Sequence, residues 1–278
     1  MLAIITPFPE GFGAEISGID LSLPLDDDDR KTVYGAFLDH HLIVFHDQTL
    51  SAEKTVTAAR IFGDEMEPHL FKQFHHPQTP LLMVLSNRTE GAGKPKGMAD
   101  AGTFWHSDVS YKPTPAKATM LYALEVPDVG GDTLFCNLTT AYEALADDMK
   151  TRLDGLTALH DYNHVPRDIF PTLKVTPPPP CPQPVVRTHP ETGRKAIYIN
   201  PGYTTQIEGM SEDESASLLR EIFDHCLRDR FRMTYQWKAG DVVAWDNAAL
   251  MHSATTKTLA PSRHRTLWRA TISGGAAF

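Results

Sequence analysis

Trp105-His106-Ser107-Asp108 sets the frame for the rest of this chain. In an extended segment, side chains two residues apart leave the backbone on the same face, so His106 and Asp108 can ligate one ion together. A third ligand then has to arrive from a distant part of the sequence, and a neighbouring strand of the same sheet core is the usual way to bring it. His252 fits that need, because it follows the apolar run Val242-Val243-Ala244-Trp245 and the turn-forming pair Asp246-Asn247, which puts it at a strand end. Two imidazoles and one carboxylate on one face of an octahedron leave the opposite positions open, the arrangement associated with non-haem Fe(II) oxygenases. A hydrolytic zinc site is the competing expectation on the same ligands. Such a site wants a general base within the motif, as in HExxH, and the sequence has none there. With 13 histidines in the chain, an HxD triplet alone is a weak signal. His40, His41, His75, His76, His160, His189 and His225 read as surface residues or satisfied core residues.

Outward from this motif the chain is a series of short apolar runs. Residues 42–45, 117–124, 133–135, 241–245 and 266–272 read as strands. Residues 185–188 and 195–199 flank Pro190-Glu191-Thr192-Gly193, a hairpin signal. Helices are expected from the acidic run Asp26 to Asp29 through Leu38, and from Ser51 towards Phe62 with a stop at Gly63. Two more are expected over 141–153 and, behind the capping box Ser211/Glu214, to about Arg228. Many short strands with a few peripheral helices predict a mostly β sandwich or barrel. Pro177 to Pro180, with Pro182 and Pro184, form an extended connector that can be neither helix nor central strand. No internal repeat and no long linker is present, so residues 1–278 are expected to form one domain. Residues 86–103, with four glycines interleaved with Lys94, Pro95 and Lys96, read as a long irregular loop. Immediately before the metal motif, it is either a mobile lid over the site or a plain surface loop.

Arg265-Thr266-Leu267-Trp268-Arg269-Ala270-Thr271-Ile272 alternates as a strand does, with Arg265, Leu267, Arg269 and Thr271 on one side. Two arginines on the face of an otherwise apolar strand are expensive to bury without anions. Either this is an edge strand whose arginines reach solvent, or the guanidinium forks bind carboxylates. Shortly after a metal-ligating histidine, the second arrangement suits the far carboxylate of a metal-chelating diacid such as 2-oxoglutarate.

The bulk properties agree with a soluble globular enzyme. Of 278 residues, 41% are hydrophobic and 22% charged, and the formal net charge of −9 argues against nucleic acid or an anionic membrane as partner. Three well-separated cysteines, Cys136, Cys181 and Cys226, suggest a reducing compartment. The first residues lack a signal pattern and no apolar run is long enough to span a membrane, so a cytoplasmic location is expected.

The chain also resembles the taurine and 2,4-dichlorophenoxyacetate dioxygenase family of Fe(II)/2-oxoglutarate enzymes over nearly its whole length. The matching segments are residues 13–20 (GAEISGID), Phe62-Gly63-Asp64, Trp105-His106-Ser107-Asp108 and residues 130–135 (GGDTLF). They continue with Val186-Arg187-Thr188-His189-Pro190, Trp245-Asp246-Asn247 followed by His252, and Arg265 through Thr271. The resemblance implies a double-stranded β-helix (jelly-roll) core with Fe(II) on His106, Asp108 and His252. It implies Thr133 and Arg265 on the distal carboxylate of 2-oxoglutarate, Arg269 on an acidic group of the substrate, and Tyr162 and Tyr203 in the substrate pocket. The implied reaction consumes O2 and 2-oxoglutarate, releases succinate and CO2, and hydroxylates a C–H bond, with cleavage when the carbon carries a heteroatom. A non-catalytic jelly-roll binding protein is the other alternative, disfavoured because it would not need all five metal and co-substrate residues. Family members are often dimers or tetramers, so a homo-oligomer is expected by analogy. Where the taurine enzymes carry a histidine after Phe-Gly-Asp, this chain reads Glu65-Met66-Glu67-Pro68, which argues against taurine, while Arg269 still suits a small anionic substrate.

Overall fold

Val242–Asp246 is buried at every position, and its alternate residues serve two different cores. Val243 and Trp245 pack on one side, Val242 and Ala244 on the other. A strand covered on both faces belongs in the middle of a sheet. In the computed structural model, which describes residues 3–9, 11–165 and 176–278, that is where it lies. Among the described residues the major sheet runs Ile4–Pro7, Ala14–Ser17, Leu42–Phe45, Val242–Asp246, Ala116–Glu125, Thr266–Ser273, Thr79–Ser86, His75–His76. Its pairings are antiparallel except for the parallel contact between Ala14–Ser17 and Leu42–Phe45.

A minor antiparallel sheet, ordered Arg232–Tyr235, Thr133–Asn137, Leu250–Ala254, faces the major one. Phe135, Leu250 and Tyr235 from the minor sheet share a core with Leu42, Leu121, Trp245 and Leu267 from the major sheet. The far side of the major sheet is closed by Val33 and Phe37 of helix Asp27–His40 and by Val56 and Ala59 of helix Ala52–Ala59. The far side of the minor sheet carries Cys136 and Met251, packed on Leu218 and Ile222 of helix Glu212–Cys226. The order is therefore helices, sheet, sheet, helix, and the space between the sheets is where a site can open. No helix of the described residues is long and apolar enough to cross a membrane.

Local chemistry accounts for the element ends. Asp26 caps its helix by accepting from the Asp29 amide, Ser51 does the same for Lys54, and Ser211 with Glu214 closes a reciprocal capping box. The helix expected over 141–153 is two helices, Leu138–Glu143 and Asp147–Leu153. Asn137 caps the first one early, and Asp147 and Asp148 favour the positive end of a fresh helix over the middle of an old one. Cys181–Pro184 forms the outer strand of a small sheet, paired among the described residues with Thr157–His160 alone, which suits its prolines. The 86–103 segment carries a short ladder between Thr89–Glu90 and Lys94–Pro95. It is also tied to the major sheet, because buried Met98 exchanges backbone hydrogen bonds with Val84 and Ser86. Thr266–Ser273 lies between Ala116–Glu125 and Thr79–Ser86, so the edge-strand alternative for its arginines does not hold.

Candidate metal centre

His106 and His252 are joined through the main chain before they meet through their rings. The His106 amide donates to the His252 carbonyl at 3.0 Å and the His252 amide returns to His106 at 2.8 Å, one rung of an antiparallel ladder. His252 therefore sits in mid-strand in Leu250–Ala254 and not at the strand end expected from the preceding turn. The strand runs on because Thr133–Asn137 supplies a partner for each of its residues. Ser107 turns away to donate to the Leu250 carbonyl at 2.9 Å, while His106 and Asp108 face each other, with Asp108 already in the turn that follows a single bridge at His106. One ligand atom from each of His106, Asp108 and His252 falls within 4.8 Å of the others, and all three residues are buried. Directly after Asp108, Val109 adopts φ +59°, strained for a β-branched residue and placed where the chain must turn from the motif into the next segment.

The protonation pattern suits a cation. His106 Nδ1 lies 2.8 Å from the Phe104 carbonyl and can only donate there, which leaves Nε2 with its lone pair. That Nε2 is 3.5 Å from Asp108 Oδ1, and His252 Nε2 is 3.7 Å from Oδ2. Burial and the adjacent His106 hold the His252 imidazole well below its ordinary pKa against the pull of Asp108, so it is neutral, as a ligand must be. Burial pushes the Asp108 carboxyl up, but the Arg269 guanidinium beside it leads the groups that outweigh burial and keep it well below the usual carboxylate range. Two imidazoles, one carboxylate and no thiolate fit a borderline-hard divalent ion such as Fe(II).

A slot leads from the triad between the sheets. Leu85, Leu121 and Trp245 wall it, and Thr133 and Arg265 stand in its lining. The Thr133 hydroxyl accepts from Trp237 Nε1 at 3.0 Å, and the Arg265 guanidinium lies over the Trp237 ring at 5.7 Å. Arg265 is only 6% exposed and its Nε has no partner, so a cation is held in a low-dielectric slot without a counter-ion on that atom. Burial pushes its pKa down to about 10, which leaves it charged at neutral pH. Gly102 closes the slot near the triad at φ +69°, and a Cβ there would come within 2.7 Å of the His106 ring. The end of the 86–103 segment thus lies against the His106 ring.

A second cavity lies on the other side of Arg269, whose Nη2 donates to Asp108 Oδ1 at 2.7 Å. Tyr162 and Tyr203 both line it, together with two residues the sequence did not single out, Tyr111 and His69. Tyr111 meets each of the other two tyrosines edge-on at 4.8 Å between ring centroids. Its place three residues after Asp108 was the available signal. Directly after Glu65-Met66-Glu67-Pro68, His69 enters the pocket beside Arg269. Burial first, then Arg269, push its pKa down to about 3, so it is neutral. Other buried histidines are engaged elsewhere: His189 on Asp246, His41 Nε2 accepting from Arg194, His160 between Ser110 and Thr204, and His225 on the Ala141 carbonyl.

Comparison with known proteins agrees on one family. The profile described as Taurine catabolism dioxygenase TauD, TfdA family matches residues 4–271. The (S)-phenoxypropionate/alpha-ketoglutarate-dioxygenase of Sphingobium herbicidovorans is 32% identical, over 98% of this chain and 96% of its own. A crystal structure of a taurine dioxygenase from Burkholderia xenovorans superposes with a TM-score of 0.84 at 30% identity, covering 99% of this chain and 90% of that one. A crystal structure of AAD-2 in complex with Mn(II) and N-oxalylglycine gives 0.80 at 29% identity, covering 100% and 99%.

Proposed function

The chain belongs to the taurine catabolism dioxygenase TauD, TfdA family, and from that membership we propose that it holds one ferrous ion on His106, Asp108 and His252. It binds 2-oxoglutarate in the slot that contains Arg265 and oxidises a small anionic substrate in the adjoining aromatic pocket. Iron and 2-oxoglutarate together supply the oxidising chemistry: with O2 the keto acid becomes succinate and CO2, and a substrate C–H bond is hydroxylated. The protein's part is positional. His106 and His252 offer lone pairs fixed by a backbone carbonyl and by burial, and Asp108 offers the negative charge. Arg265 and Thr133 give a charged fork and a hydroxyl for the distal carboxylate of the diacid. Arg269, between the two cavities, meets the acidic group of the substrate, and the Tyr111, Tyr162 and Tyr203 rings pack its apolar body and keep water out.

The observation that carries this function is the convergence of three donor atoms within 4.8 Å at one end of a slot in whose lining Arg265 stands with an unpartnered Nε. The two facing antiparallel sheets support a double-stranded β-helix core with the metal between them. Contact of Gly102 with the His106 ring supports residues 86–103 as the lid. Three buried free thiols support a cytoplasmic setting. An aromatic cavity ending at Arg269 and His69, with a relative named for (S)-phenoxypropionate, favours aryloxy acids as substrates.

Anaerobic addition of Fe(II) and 2-oxoglutarate should give a weak visible chelate band. Aerobic incubation with a panel of aryloxy acids, sulfonates and sulfate esters should give succinate in step with oxygen uptake. Full activity on zinc without oxygen consumption would sink the oxygenase assignment.

A further inference from the structure

Asp108 is gripped by more than its own backbone. Its Oδ2 accepts from the Thr119 hydroxyl at 2.6 Å, and Thr119 Oγ1 in turn accepts from Asn247 Nδ2 at 3.0 Å. Asn247 Oδ1 closes the loop by accepting from the Asp108 amide and from Trp245 Nε1, each at 3.2 Å. Thr119 and Asn247 are 0% exposed, and Asp108 is 2% exposed. The direction of this chain of bonds can be deduced without seeing a proton. The Asp108 amide and the indole N–H can only donate, so the atom between them has to be the amide oxygen of Asn247, and its nitrogen has to face Thr119. Thr119, already accepting that N–H, turns its own proton to Asp108. Thr119 stands in the major-sheet strand Ala116–Glu125, paired in register with Trp245, and Asn247 follows directly on the end of Val242–Asp246, where the chain leaves for the minor sheet.

We propose that Asn247 and Thr119 form a one-way hydrogen-bond relay that positions the Asp108 carboxylate for its metal, Asn247 setting the direction of the Thr119 proton. Oδ2 is then committed to a hydroxyl donor and the plane of the carboxylate is fixed before any ion arrives. Asn247 and Thr119 are positioning residues, acting through Asp108, and this role rests on the assignment of Asp108 as a ligand. Outer partners of this kind typically change metal affinity about ten- to hundredfold when removed.

The test is titration of the purified full-length protein with Mn(II) alone, followed by electron paramagnetic resonance, with circular dichroism confirming that each variant is folded. Thr119→Val keeps the shape and removes the hydroxyl; it should weaken Mn(II) binding about tenfold or more. Thr119→Ser restores the donor and should return affinity to within about threefold of wild type. Asn247→Ala should weaken binding less than Thr119→Val, and the double variant should lose less than the sum of the two, because part of what Asn247 does passes through Thr119. Wild-type affinity in Thr119→Val, or fully additive losses in the double variant, would overturn the relay while leaving the ligands in place. Wild-type affinity in Asp108→Ala would overturn the ligand assignment and the relay with it.

Discussion

At the scale of single residues the site is a set of side chains whose charge states are fixed by what they touch. His106 donates from Nδ1 to a carbonyl, so its other nitrogen is committed to the metal side. His106→Ala or Asp108→Ala should abolish iron-dependent succinate formation, and calorimetric titration with Mn(II) should show no stoichiometric binding. Arg265→Ala removes a charged hydrogen bond worth roughly 1.5–3 kcal/mol, so the KM for 2-oxoglutarate should rise about ten- to hundredfold. Initial rates at varied co-substrate check this; an unchanged KM would remove Arg265 from the co-substrate end. These residues were legible in the sequence because period-two spacing and buried arginines are local signals. Thr119 and His69 were not, since an isolated threonine in a strand or a histidine in an irregular segment carries no mark of what faces it.

Elements set the positions of these side chains, and two substitutions separate positioning from stability. Gly102→Ala puts a methyl group within 2.7 Å of the His106 ring at a φ of +69°, so both the contact and the backbone resist it. Metal affinity and turnover should fall at least tenfold, read by Mn(II) titration and succinate release. Ser211→Ala removes one half of an exposed capping box and should cost about 1 kcal/mol of stability, seen as a lower midpoint in urea, with KM values unchanged. Capping boxes, acidic first turns and the hairpin at Pro190–Gly193 could be read directly, because each is a short-range pattern with a local cause. Register could not. Whether His252 ends a strand or occupies its middle depends on Thr133–Asn137 lying beside it, more than a hundred residues away, and nothing near His252 records that.

For the whole molecule, the four-layer order explains why an ion-binding site can be both buried and reachable: the gap between the two sheets is lined by strands on both sides and closed by loops at one end. The alternating strands announced a mostly β architecture, but which faces pair emerges only from the assembled cores. Global stability should carry a pH signature from His160, which is 0% exposed and whose pKa burial pushes down to about 3. The unfolded chain takes up that proton near pH 6.5 and the folded one does not until about pH 3. Its contribution is therefore complete above about pH 6.5 and lost as the pH falls towards 3, at up to about 1.4 kcal/mol per pH unit. Thermal melts from pH 7 to 5 should show a steeper decline for wild type than for His160→Phe; parallel curves would remove His160 as the source.

The paired amides of His106 and His252 have one more implication, for the order in which the protein can be completed. On the proposed ligand set, a chain still emerging from the ribosome holds two of the three metal donors long before the third is made, and before the strand that pairs with His106 exists. Iron capture has to wait until the strand of His252 zips against the first motif, so loading is a late event in biogenesis. By the same logic, proteolytic nicking that frees that strand should release the ion before the rest of the sheet unravels.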